Sequence, residues 1–112
     1  MKLIIAFIKP FRLEQVRDSL KTAGVSGMSV SDISGIGRQG GQTEVYRGAE
    51  YEVAFVPKVR LEIIVTDEVA GPAVAAIETA GHTGEIGDGK IVVLAIEDVV
   101  RIRTGERGAD AI

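Results

Sequence analysis

Hydrophobic residues fall along this chain in two rhythms, strand-like and helix-like, and the same succession of rhythms occurs twice. Residues 3 to 8 are a short apolar run of the strand type, and over residues 12 to 23 Leu13, Val16 and Leu20 share one helical face. Gly24 is placed to end that helix before a second strand at residues 28 to 35. The second half repeats the plan. Residues 59 to 66 read as strand, and residues 69 to 80 as a helix that turns Val69, Ala73, Ala76, Ile77 and Ala80 inward. Gly81 stops this helix, and residues 91 to 96 read as strand again. Even the helix ends correspond, Lys21-Thr22-Ala23-Gly24 with Glu78-Thr79-Ala80-Gly81. The predicted order is βαββαβ, an α+β chain of the ferredoxin-like double βαβ kind, in one domain over residues 1–112.

Strand polarity adds an expectation about assembly. Two helices can cover only one face of such a sheet, and the other face should then be polar in a lone subunit. Here Leu3, Ile5 and Phe7 alternate with Ile4, Ala6 and Ile8, and Ile91, Val93 and Ala95 alternate with Val92, Leu94 and Ile96, so two strands are apolar on both faces. Either a loop or the C-terminal segment covers the second face, or another subunit does.

Between the halves lies a segment that breaks the pattern. From Gly37 to about Val53 there are four glycines, several charges and no sustained apolar period, so a long flexible loop is expected at about residues 37–55. Connections of that length in compact domains tend to be functional or disordered. Tyr46 and Tyr51 lie in it, suited either to a partner-binding or modifiable tip or to capping the domain.

Composition narrows the chemistry. A chain of 112 residues buries roughly 65% of its unfolded surface. It has no cysteine and one histidine, His82, so neither a disulfide framework nor a zinc cluster is expected. A net charge of −3, a pI near 5.1 and 4% aromatic residues argue against direct nucleic-acid binding. The apolar runs are far below the ~20 residues of a membrane span, and no signal-peptide pattern opens the chain, which points to the cytoplasm.

Residues 83 to 91, Thr-Gly-Glu-Ile-Gly-Asp-Gly-Lys-Ile, hold the most suggestive chemistry. Three glycines ending in a lysine can wrap backbone amides around phosphate, although such a loop can equally be a plain turn. From Gly84 to Lys90 the spacing fits the G-x-x-x-x-G-K stem of a P-loop, but Ile91 stands where Ser or Thr would ligate Mg²⁺. The order is also reversed, helix before and strand after, so no helix N-terminus faces the anion. Arg101 and Arg103 are two apart and would point to one side if extended; with Lys90 and Arg38 they either meet a polyphosphate or are solvated surface groups.

Six segments in order, Ile8-Lys9-Pro10-Phe11, Gly37-Arg38-Gln39, Tyr46-Arg47-Gly48-Ala49-Glu50-Tyr51, Val56-Pro57-Lys58, residues 83 to 91, and Arg101-Ile102-Arg103-Thr104-Gly105-Glu106, resemble the PII nitrogen-regulatory signalling proteins along essentially the whole chain. The resemblance implies a homotrimer with nucleotide sites in the clefts between subunits. Gly87, Asp88, Gly89 and Lys90 match the phosphate-holding loop, with Asp88 there to hold the turn; Arg101 and Arg103 match the family's C-terminal segment, and Gly37 and Arg38 the base of the long loop. Adenine and ribose contacts are implied at Phe7, Ser29, Gly35, Glu62 and Ile64, where Phe7 and Ser29 replace the isoleucine and threonine common in relatives.

The resemblance further implies 2-oxoglutarate bound beside Mg-ATP, with Gln39 a contact to it and to Mg²⁺ and Lys58 pairing with a carboxylate. A dicarboxylate beside a triphosphate needs a hard cation between them, and Mg²⁺ shares its oxygen shell in that way. ADP lacks the γ-phosphate, so the two nucleotides should favour different conformations of the long loop. That loop would act on partners such as an ammonium channel, which is the only membrane link, a glutamine synthetase-modifying enzyme, a sensor kinase or a uridylyltransferase. Tyr51 matches the uridylylation position, whereas Ala49 excludes the serine phosphorylation of some relatives. Glu85 stands where many relatives carry a basic residue and bears on the ATP/ADP preference. No catalytic residue is expected. The alternative is a small ferredoxin-like phosphotransferase or acyl phosphate hydrolase, for which His82 has no orienting partner evident in the sequence.

Overall fold

The computed structural model describes residues 1–36, 43–46, 49–52 and 55–112, the segments 43–46 and 49–52 by their backbone. The elements are β1 (Lys2–Ile8), α1 (Leu13–Thr22), β2 (Ser29–Gly35), β3 (Thr43–Tyr46), β4 (Ala49–Glu52), β5 (Val56–Val65), α2 (Asp67–Gly81) and β6 (Lys90–Ala95). Four strands make an antiparallel sheet in the order β2-β5-β1-β6, which is the ferredoxin-like arrangement. Strands of one βαβ half are never neighbours, because β5 separates β1 from β2 and β1 separates β5 from β6.

Alternation along the strands places the core. Ile4, Ala6 and Ile8 of β1 and Val59, Leu61, Ile63 and Val65 of β5 are buried against Val16 and Leu20 of α1 and Ala73, Ile77 and Ala80 of α2. Fully burying one of these isoleucines or leucines contributes about 2 kcal/mol relative to exposure. Element ends differ slightly from the sequence reading. Pro10 has no N–H to continue the ladder and opens a 3₁₀ turn, Pro10–Arg12, so α1 begins at Leu13 rather than Arg12. Extended Thr66 precedes α2, and Asp67 and Glu68 sit in its positive first turn, carrying the helix two residues further back than its apolar period indicates. At its far end the Arg12 Nε donates to the Ala80 carbonyl at 2.8 Å. Gly24, at φ 97°, ends α1 as expected, and the Val25 N–H returns to the Leu20 carbonyl at 3.0 Å.

The face away from the helices carries Leu3, Ile5 and Phe7 of β1 beside Val92 and Leu94 of β6 and Ile64 of β5. Val92, Leu94 and Ile64 are 40%, 43% and 42% exposed, so the described residues leave this apolar face uncovered. The 37–55 segment expected as a loop lies mostly outside the described residues. Within it β3 and β4 pair antiparallel, Thr43 opposite Glu52 and Tyr46 opposite Ala49. Backbone ladder bonds need no buried face, and Thr, Val and Tyr favour extended backbone, which an apolar-period reading passes over.

Candidate functional site

Phe7 stands opposite Lys90 at the end of the β1-β6 ladder, so the chain leading into β6 must turn against the end of β1. It does so through three glycines of positive φ, Gly84 at 83° and Gly87 and Gly89 at 99°. Gly89 admits no side chain, since a Cβ there would lie 1.6 Å from the Phe7 carbonyl oxygen.

Asp88 ties the turn together. Its Oδ2 accepts the N–H groups of Thr83 at 2.8 Å and Gly84 at 2.9 Å, and its Oδ1 accepts the Thr83 hydroxyl. That hydroxyl oxygen in turn accepts the Glu85 N–H at 3.2 Å and the Lys9 ammonium at 3.0 Å. Lys9 Nζ also lies 3.2 Å from Asp88 Oδ1. Hydrogen bonds from the Thr83 hydroxyl and backbone, with those of Gly84 and Lys9, hold the Asp88 carboxyl well below the usual carboxylate range. From the neighbouring strand, Lys58 Nζ donates to the Gly87 carbonyl. Burial, and then the Lys9 charge, lower the Lys58 pKa, with Asp88 partly opposing them.

The two halves of the loop therefore differ. Amides of Thr83, Gly84 and Glu85 are engaged internally and residues 86 and 87 form a turn, whereas the amides of Ile86 and Gly87 donate to no protein acceptor among the described residues. Successive N–H groups around a positive-φ glycine are the kind of backbone that can receive an anion; here Lys58 bonds to the Gly87 carbonyl and Lys90 follows Gly89 in the chain.

Sheet register fixes the surroundings of the loop. Ser31, Arg60, Phe7 and Lys90 form one row across the helix-free face; Ser29, Glu62, Ile5 and Val92 form the next, and Ile64, Leu3 and Leu94 the third. Polarity thus falls with distance from the loop. Arg60 joins the first two rows, its Nε 2.9 Å from Glu62 Oε1 and its guanidinium carbon 5.7 Å from the Phe7 ring centre. A Cβ on Gly35 would touch the Lys58 side chain at 3.6 Å. On the helix side of the loop, a cavity of about 390 Å³ opens between α2 and β6, lined in part by Ile8, Ile77, Glu78, His82 and Ile91.

Of the residues singled out in the sequence, Phe7, Ser29, Glu62, Ile64, Lys58 and Lys90 lie on one sheet face, with Gly87, Asp88 and Gly89 at its end and Gly35 beside Lys58. Gly37, Arg38 and Gln39 lie outside the described residues, as does the Tyr51 side chain. Arg101 and Arg103 are not on an extended segment. Residues 101 to 106 close on themselves, with the Gly105 N–H on the Arg101 carbonyl at 2.8 Å, Gly105 at φ 74° and Val100 bridged to Arg107. Arg101 is held by Glu106 Oε1 and the Ile112 oxygen, each at 3.1 Å, and among the described residues no hydrogen bond joins either arginine to the loop.

Two residues named in the sequence, His82 and Lys9, find their place by the loop only in the structure. Asp88 Oδ2 lies 3.7 Å from His82 Nδ1, beyond hydrogen-bond reach and already accepting two amides. Lys9 is legible only as part of a motif. Continuing the alternation past Ile8 puts position 9 on the Phe7 side, and antiparallel pairing of β1 with β6 brings the residue after β1 close to the residues before β6.

Known proteins resemble the chain throughout. A family model described as nitrogen regulatory protein P-II matches residues 1–106. Proteins named nitrogen regulatory protein P-II from Azospirillum brasilense and Pasteurella multocida are 54% and 56% identical over 112 residues, covering 100% of both chains in each case. The protein of that name from Rhodobacter capsulatus is 53% identical over the same span.

Proposed function

The chain belongs to the nitrogen regulatory protein P-II family, and from that premise we infer that it is a non-catalytic signalling protein that reads nucleotide and 2-oxoglutarate levels and passes the result to partner proteins of nitrogen assimilation. The observation that carries the reading is the loop before β6, whose free amides and flanking lysines meet the polar end of an uncovered apolar sheet face. Amides at Ile86 and Gly87 with Lys58 and Lys90 suit the charge of a polyphosphate, to which each charged hydrogen bond contributes about 1.5 to 3 kcal/mol.

The uncovered face supports homotrimerisation, each subunit offering Leu3, Ile5, Ile64, Val92 and Leu94 to the next. Phe7, Ser29, Gly35, Glu62 and Ile64 then take the base and sugar of ATP or ADP, and Arg38, Arg101 and Arg103 add cations to its phosphates. Lys58 pairs with a carboxylate of 2-oxoglutarate, and Gln39 supplies an oxygen donor to Mg²⁺. The metal, when bound, shares its oxygen shell between phosphate and dicarboxylate and so relieves their repulsion. The long loop is the output surface, and uridylylation of Tyr51 would place a bulky anion on it. Asp88 has the part of holding the turn. No described helix is long and apolar enough to cross a membrane, which accords with a cytoplasmic site of action and with partners such as an ammonium channel, a sensor kinase or an enzyme acting on glutamine synthetase.

Calorimetric titration of 2-oxoglutarate with Mg-ATP present, with Mg-ADP present and without nucleotide tests the reading. Binding confined to Mg-ATP is expected. Binding of equal strength in all three conditions would remove the metal bridge, and the absence of any ATP binding would remove the reading as a whole.

A further inference from the structure

Lys9 is given no nucleotide or 2-oxoglutarate contact in the function proposed above, yet its ammonium is built into the loop. Its side chain is 17% exposed and that of Asp88 25%, and the ammonium meets both the Thr83 hydroxyl oxygen at 3.0 Å and Asp88 Oδ1 at 3.2 Å. An anion-binding turn that carries a carboxylate poses an electrostatic problem. Amide donors on Oδ2 and the Lys9 ammonium by Oδ1 favour the ionised form of Asp88, and a bare negative charge a few ångströms from a bound polyanion opposes it. We propose that Lys9 is a positioning residue for phosphate at this loop: its charge cancels that of Asp88, so the carboxylate that shapes the turn does not repel the anion the turn receives.

Neither of the other nearby lysines pairs directly with the carboxylate, although Lys58 feels its charge. Lys58 donates to the Gly87 carbonyl, and among the described residues no ion pair joins Lys58 or Lys90 to Asp88. His82, 3.7 Å away, is charged only when protonated. Lys9 itself is turned toward Thr83 and Asp88, so its effect on a ligand passes through the carboxylate. The inference rests on the nucleotide-binding function proposed for the loop, and its test separates the two.

Mg-ATP is titrated into the full chain as four proteins: the parent, Lys9→Gln, Asp88→Asn and the double variant. Glutamine removes the charge and keeps a polar donor, on a side chain one bond shorter. Lys9→Gln should weaken ATP binding on the order of ten-fold in the presence of Asp88, and less than about two-fold in the presence of asparagine at position 88. Added salt should shrink the first loss. Equal losses in both backgrounds would mean that Lys9 acts independently of the carboxylate and would overturn the proposal, as would an unchanged affinity in Lys9→Gln. If Lys9→Gln fails to fold, Asp88→Asn against the double variant still decides, since a several-fold difference between them contradicts the proposal. A parent that binds no ATP removes the nucleotide reading and this inference with it, whereas a parent that binds ATP and is indifferent to Lys9 removes only the inference.

Discussion

Gly89 packs so closely on β1 that the Phe7 carbonyl oxygen occupies the place where a Cβ would be, 1.6 Å from its ideal position. Both the positive φ of 99° and this contact exclude any other residue. Gly89→Ala must therefore separate the loop from β1 or unwind the turn. It is expected to cost about 2 kcal/mol or more in denaturant unfolding and to abolish measurable ATP binding. Gly27 has nothing within 4 Å of an added Cβ, and Gly27→Ala serves as the control, with unfolding within about 0.5 kcal/mol of the parent. A Gly89→Ala protein as stable as the parent would contradict the close approach.

The ionised form of Asp88 is favoured in the folded chain, which fixes the sign of its pH dependence. Its carboxyl is held below the unfolded value by the Thr83 hydroxyl and amide, so its contribution is complete above about pH 4 and is lost as pH falls toward the folded value. The stability gap between the parent and Asp88→Asn should be level from pH 7 to about 5 and narrow below about 4. Urea unfolding of both proteins across that range measures it. A gap that widens on acidification would contradict the hydrogen-bonding pattern assigned to the loop.

Leu94 tests the sheet face. It lies in the apolar row with Leu3 and Ile64, farthest from the loop and without contact to it. Leu94→Asp would bury an unpaired carboxylate if a subunit covers this row, a cost of several kcal/mol. Sedimentation should show a trimer for the parent and at least a ten-fold rise in the concentration needed for assembly in the variant. An unaltered assembly would place the subunit contact elsewhere.

How much of the molecule is legible in its sequence depends on the range of the interactions involved. Alternation in residues 3 to 8 identifies Ile4, Ala6 and Ile8 as a single face, and the spacing of Leu13, Val16 and Leu20 finds α1, because burial of one face is written locally in the chain. The glycines of residues 84 to 89 are visible for the same reason. Lys9 and Asp88 meet from opposite ends of the molecule's sequence, so their pairing is a product of the β1-β6 register and no local pattern holds it. The 101 to 106 turn misleads in the opposite sense: a two-residue spacing implies a shared face only in extended backbone, and Gly105 lets the chain double back. Pairing of β3 with β4 is invisible to an argument from apolar period, since ladder bonds there do not depend on a core.

Gly35 and Val56 are cross-strand partners, so the chain leaves the sheet and returns to it at neighbouring points. Everything between them hangs from a base that the sheet itself closes. A doubling of such an excursion costs only about 0.6 kcal/mol in closure entropy. The segment between positions 35 and 56 is accordingly a place where added length is cheap for the sheet: residues inserted there draw on closure entropy and leave the Gly35 and Val56 pairing as its anchor.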